Sequence, residues 1–212
     1  MIEFLNKIRC PNKDIKTKKK IINTVLIFLL GICLGIFSKW LDNLSIDNSI
    51  WWQNIIDLLD LRNVFSLFGI WIFIAVAISI NSKTPLRASL NVLLFFIGMT
   101  TSYHLYTIYF SGFNPKNYMM IWYSITLLSP ILAFICWYAK GNGKISLLIS
   151  SFIITAMILS SFSIGLWCFD VNSIIDLLLF IGTIILLYSN PKKTIYSLII
   201  AACLSIIINY LI

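Results

Sequence analysis

The side chains with the most chemistry to offer are Thr100, His104, Thr107 and Ser111, spaced by four, three and four residues, with Tyr103 beside them. That spacing sets hydroxyls and the single histidine of the sequence on one face of a helix. An imidazole among hydroxyls can contact a ligand, gate a path, exchange a proton or close an interhelical hydrogen bond, and all four readings stay open. Asn114 follows in the loop Ser111 to Tyr118, Trp122 and Tyr123 open the next apolar stretch, and Lys39 and Asp42 close the first. Lys39, Asp42, Tyr103, His104, Thr107, Asn114, Trp122 and Tyr123 are therefore the candidate ligand-binding set, with Lys39 and Asp42 at its mouth. The competing reading is an aromatic belt, because Trp and Tyr gather at both membrane–water boundaries.

Catalytic and metal patterns do not emerge. There is no H-E-x-x-H, G-x-S-x-G or phosphate-binding glycine loop, and no acidic pair lies deep in an apolar stretch. The five cysteines lack metal-ligand spacing, and most sit in apolar runs where a thiol behaves as a small hydrophobe. No catalytic residue, metal or cofactor is assigned, and the chain is expected to have no catalytic activity of its own. An intramembrane enzyme would need an Asp or Lys within hydrogen-bond reach of His104.

These residues must be positioned by elements that composition restricts sharply. With 59% hydrophobic and 11% charged residues and a mean hydropathy of +0.93, the chain cannot clothe a soluble globule of its size in polar surface. Lipid is its expected solvent, and runs such as Val25 to Leu30 lack the alternation of barrel strands, so helices are predicted. Seven apolar stretches are read as spans: Ile21 to Phe37, Val64 to Ile80, Ala88 to Phe110, Met119 to Tyr138, Ile145 to Phe169, Ile174 to Tyr188 and Thr194 to Ile212. A crossing takes about 20 residues, so the sixth is short and could fail to cross. The fold expected is an all-α polytopic transmembrane bundle of about seven spans: a basic head over residues 1–20 and one membrane domain over 21–212.

All but three of the sixteen basic residues fall before the first stretch or in alternate gaps; Lys39, Arg62 and Lys116 are the exceptions. Lys and Arg resist translocation, so the N-terminus is expected in the cytoplasm and, with seven crossings, the C-terminus outside. Asp42, Asp47, Asp57, Asp60, Asp170 and Asp176 make the opposite side mildly acidic. The net charge of +8 is thus accounted for by topology and attraction to anionic headgroups, not by nucleic acid. His104, about 24 Å along its helix from Ala88, falls toward the acidic side.

Two segments lie outside the spans. The head, broken at Cys10-Pro11-Asn12, is read as disordered in preference to lying on the inner leaflet. Residues 49–62 pattern as an interfacial helix, with Trp51, Trp52, Ile55, Ile56, Leu58 and Leu59 on one side and Gln53, Asn54, Asp57 and Asp60 on the other; the alternative reading is a lid over a cavity. Gly31 and Gly35 form a small-xxx-small pair, and Ala201, Ser205 and Asn209 recur every four residues; both stripes suit close helix packing. Pro130 should kink the fourth span.

Gly31-Ile32-Cys33-Leu34-Gly35, Ser102-Tyr103-His104-Leu105-Tyr106, Gly112 to Tyr123 and Ser129 to Tyr138 resemble a family of uncharacterised multi-pass membrane proteins of Gram-positive bacteria, over most of the chain after the head. The resemblance implies a bacterial cell-membrane location and no particular activity. In size, helicity and an outward-facing pocket the chain also looks like the substrate-binding subunits of energy-coupling-factor vitamin transporters. Those typically have six spans, and Gly31 and Gly35 stand where they carry an alanine-rich motif. Together these readings suggest a small-solute binding or transport subunit. The alternative is a non-catalytic scaffold or accessory protein, holding a membrane partner or a second copy through its small-residue faces. Reporter fusions at the amino end and in the Lys140–Lys144 turn are expected to report the cytoplasm; both reporting the exterior would reverse the assignment.

Overall fold

Backbone N–H and C=O groups cannot stay unpaired in an apolar surrounding, and the apolar stretches accordingly close their own hydrogen bonds as helices. The computed structural model describes residues 2–11, 17–47, 49–164 and 169–211. In chain order the elements are α1 (Ile2–Ile8), α2 (Thr17–Asn43), α3 (Trp51–Leu58), α4 (Leu61–Ser66), α5 (Phe68–Asn81), α6 (Pro85–Phe110), α7 (Lys116–Trp137), a 3-10 turn (Tyr138–Lys140), α8 (Gly143–Ser161), a hairpin of β1 (Phe162–Ile164) and β2 (Phe169–Val171), α9 (Ile174–Leu187) and α10 (Pro191–Leu211). Five helices, α2, α6, α7, α8 and α10, are long and apolar enough to cross a membrane, whereas α5 and α9 have 14 residues each.

Three departures from the sequence reading have local causes. The second stretch is not one helix from Val64: it breaks at Leu67, which is extended, and the indole N–H of Trp71 donates across the break to the Phe65 carbonyl at 3.0 Å. The expected interfacial helix stops at Leu58 because Asp60 adopts a left-handed conformation (φ 50°), and Gln53 faces inward, accepting from the Asp47 N–H. The fifth stretch leaves helix at Ser161, whose hydroxyl donates to the Asp176 carbonyl, and Phe162–Ile164 pairs antiparallel with Phe169–Val171 instead. Trp167 and Cys168, like Lys13 and Lys16, lie outside the described residues.

The head departs too. Residues 2–8 form a helix that docks, with Ile8 buried and its carbonyl accepting from the Asn142 N–H at 2.8 Å. Arg9 donates to the carbonyls of Trp137 (2.6 Å) and Ile80 (2.9 Å) and lies 4.1 Å over the Trp137 ring. Burial lowers its pKa from the ordinary arginine value, and the carbonyl partners and the ring satisfy the charge without a carboxylate.

α6 is the hub: α2 and α7 pack along it, α5 bridges to α8 and α9, and α10 lies on α8. One core gathers Trp71, Phe95, Met99 and Trp122; a second gathers Ile80, Ile153, Leu187 and Ala201. The short helix α5 connects the level of Trp122, whose ring lies tilted against Phe68, to that of Trp137, bonded to Ser82. Asp42, Asp47, Asp57, Asp60, Asp170 and Asp176 share one end, the acidic end; Arg9, Lys20, Arg87, Lys140 and Lys193 share the other, the basic end.

Both small-residue stripes are occupied within the chain. A side chain at Gly31 would overlap the Phe95 carbonyl, one at Gly35 the Met99 carbonyl, and one at Gly98 the Phe28 carbonyl, so α2 and α6 touch backbone to backbone. Ala201 and Ser205 are buried, with Ala201 against α8. Gly31→Val is expected to cost on the order of 3 kcal/mol through overpacking against backbone that cannot yield. Its thermal midpoint in detergent should fall by several degrees, while Cys33→Val, at an exposed site on the same helix, should leave it unchanged.

Candidate functional site

The last turn of α2 projects Lys39 and Asp42 toward α6, where close backbone approach brings Tyr103 within reach of both. The Tyr103 hydroxyl donates to Asp42 Oδ2 at 2.6 Å, and Lys39 Nζ stands 3.7 Å from the same oxygen. Lys39 is only 7% exposed, and its ammonium lies 5.4 Å from the centroids of both the Tyr103 and Phe113 rings. It makes no hydrogen bond within 3.5 Å among the described residues. An ammonium has three donors, so this one is held by one carboxylate and two ring faces with its donors unspent.

These groups line a cleft of about 700 Å3 at the acidic end, walled also by Asp60, Arg62, Asn63, Ser66, Pro115 and Tyr118. Asn63 donates to both Asp60 oxygens, at 2.8 and 2.9 Å, which fixes the left-handed residue between α3 and α4. Arg62 reaches the Leu44 carbonyl at 3.5 Å and stands 3.9 Å from Asp57. In the loop above, the backbone N–H and then the hydroxyl of Ser49 bond Asp47 and hold its carboxyl below the usual range. The cleft thus offers two cations, two carboxylates and three aromatic rings, a set suited to a small solute bearing separated charges.

Its floor is closed. Beneath Tyr103 and Tyr118, side chains of Ser38, Phe65, Trp71, Met99, Thr100, Met119 and Trp122 leave only about 10 Å3, too little to seat more than about one water molecule.

Of the candidate residues, Lys39, Asp42 and Tyr103 line the cleft together. His104, Asn114 and Tyr123 form a separate group: the Tyr123 hydroxyl lies 2.7 Å from His104 Nδ1 and Asn114 Oδ1 lies 3.0 Å from Nε2. With the proton on Nε2 both contacts are satisfied, and the trio ties the α6–α7 loop to α6 and α7. Thr107 is fully buried and donates to the Tyr103 carbonyl at 2.8 Å; Trp122 is in the core against Phe68 and Trp71. Asp60, Arg62, Asn63 and Ser66 were not in the candidate set. Their signal was the polar run Asp60-Leu61-Arg62-Asn63, which periodicity assigned to a surface helix. Among the described residues no group of three His, Cys, Asp or Glu could hold a metal ion.

A second polar feature sits at the same end. Asp176 is buried at the first turn of α9, where Ser173 accepts from its N–H at 3.0 Å and donates to its Oδ2 at 2.9 Å. Its Oδ1 and the hydroxyl of Ser160, both beside Gly69, have no partner among the described residues.

No family model, curated protein or solved structure matches the chain. The geometry therefore carries the functional argument.

Proposed function

We propose that the protein is a small-solute binding or transport subunit of the bacterial cell membrane, crossing it seven times with the basic end in the cytoplasm and the cleft open to the exterior. The 14-residue helices α5 and α9 are each about 21 Å long. On this reading α4 prolongs α5, and the bilayer thins or the helices stand upright at α9. The observation that carries the binding reading is Lys39. Burying an ammonium is costly unless its charge and donors are answered, and here the unspent donors border a polar cleft. An anionic group of a solute at Lys39, with its cationic part toward Asp42 and Asp60 and its body against Phe113 and Tyr118, completes the set.

The scaffold alternative would be favoured by a vacant Gly31/Gly35 face, and that face is filled by α6. His104, Asn114 and Tyr123 act in this reading by holding the α6–α7 loop that carries Phe113.

Titration of the detergent-solubilised protein with a panel of small zwitterions and anions, followed by tryptophan fluorescence, tests this. At least one member is expected to bind saturably. Lys39→Met, which keeps the packing volume, should weaken it about tenfold or more, as loss of one charge-assisted contact implies. His104→Ala should weaken it less than Lys39→Met. Equal binding by Lys39→Met and the unmodified protein would end the proposal.

A further inference from the structure

The basic end holds a second cleft, of about 680 Å3, between α2 and α5. Lys19 and Lys20 border it from α2, Lys83 from the α5–α6 turn and Arg87 from α6, and no carboxylate lines it. The three ammonium groups have no ion-pair or hydrogen-bond partner among the described residues. Arg87 is anchored through one nitrogen, which donates to the Lys20 carbonyl (2.7 Å) and the Thr24 hydroxyl (2.8 Å). The rest of its guanidinium has no partner among the described residues. Thr24 in turn donates to Asn91 Oδ1 at 2.8 Å, and Asn91 donates to the Ser82 hydroxyl at 3.3 Å. This chain of bonds presets the guanidinium and holds the cleft open between helices that both pack on α6.

The cleft is amphipathic in depth. Leu26, Ile27 and Ile78 line its deeper part; Leu26 is six residues past Lys20 and Ile78 five before Lys83, or about 9 and 7.5 Å along their helices. Leu26 is 59% exposed, so this part opens sideways on the face that meets lipid. A soluble anion would use the cationic rim and leave the apolar wall bare. An amphiphile with an anionic head uses both.

We propose that this cleft is a specific site for an anionic glycerophospholipid of the adjoining leaflet, its phosphate between Lys19, Lys20, Lys83 and Arg87 and an acyl chain along Leu26, Ile27 and Ile78. Four cations with no carboxylate partner among the described residues exceed what topology alone asks of this end. Lys140, Lys144 and Lys192 supply the same orienting charge and line neither this cleft nor the one at Lys39. The site is at the opposite end from Lys39, so its fate and that of the solute cleft are separable.

Native mass spectrometry of the full chain in mild detergent, titrated with phosphatidylglycerol or with phosphatidylcholine of the same acyl chains, tests it. Phosphatidylglycerol is expected to bind at least about tenfold more tightly. Lys83→Gln and Lys19→Gln, both at exposed positions, should each weaken it about fivefold, the effect of one cation near an anionic headgroup, with phosphatidylcholine unaffected. Lys192→Gln, which removes the same charge from the same end outside the cleft, should leave it within about twofold. Equal retention of the two lipids would overturn the proposal. So would a Lys192→Gln loss as large as that of Lys83→Gln, which would mark diffuse surface attraction. Displacement of the lipid by millimolar inorganic phosphate would mark a site for the free anion and refute the lipid assignment.

Discussion

The seam between α2 and α6 positions the chemistry at both ends of the molecule. Because Gly31, Gly35 and Gly98 carry no side chain, the two backbones meet directly, and Ser102 spends its hydroxyl on the Ile32 carbonyl across the contact at 3.1 Å. In lipid no hydrophobic force draws helices together, so such contact, with its dispersion and occasional hydrogen bonds, is what holds them. Its register sets Lys39 and Asp42 of α2 against Tyr103 of α6 at one end and Thr24 of α2 against Arg87 and Asn91 of α6 at the other. A shift of one turn, about 5.4 Å, would part both sets at once.

Much of this arrangement was legible in the residues. The glycine pair announces close packing, the long apolar runs announce helices, and alternating cationic gaps separate the two ends. What stayed hidden depended on contacts between elements distant in sequence. Lys39 and Tyr103 could be placed at one depth, but a fourfold spacing cannot say which hydroxyls turn toward a cleft. Thr107 turned into the packed interior and His104 toward the α6–α7 loop, although they share a helix face with Thr100. The break at Leu67 is invisible to hydropathy because the residues around it are apolar enough to continue a helix, and the one at Asp60 because the helical period runs on through it to Arg62. A left-handed aspartate and an indole bond across an extended residue are local decisions made by tertiary context. The head was misjudged for a similar reason: Ile8 and Arg9 are ordinary residues until Gly141, Trp137 and Ile80 offer them a seat.

The polar residues in the helices show how a low-dielectric surrounding is managed. Thr100, Thr126, Thr155 and Thr183 each donate to the carbonyl four residues earlier, and Ser146 and Ser150 both donate to Ala139, where the 3-10 turn leaves carbonyls without helical partners. Lys193 reaches the same carbonyl from α10, at 2.7 Å, a cation at the end of a helix where the backbone dipole favours one. Most of the serine and threonine content of α8 is therefore structural, and its hydroxyls do not define a pore.

Lys39 and Asp176 stand apart from this pattern, and both lie at the acidic end. Asp176 is buried, yet it sits in the first turn of α9 with its own N–H and a serine answering it, where the positive end of the helix offsets part of the cost of a carboxylate. Lys39 has no equivalent relief. It lies in the last turns of α2, where the dipole does favour a cation, but its ammonium bonds none of the helix-end carbonyls, and Asp42 is already shared with the Tyr103 hydroxyl. A carboxylate at the edge of hydrogen-bond range and two ring faces answer its charge without answering its N–H donors. Water in the cleft can supply those bonds, and a solute anion can supply them with a full countercharge as well. That difference in free energy is what a binding site needs, and it arises because the α2–α6 seam holds the ammonium where it cannot extend fully into solvent.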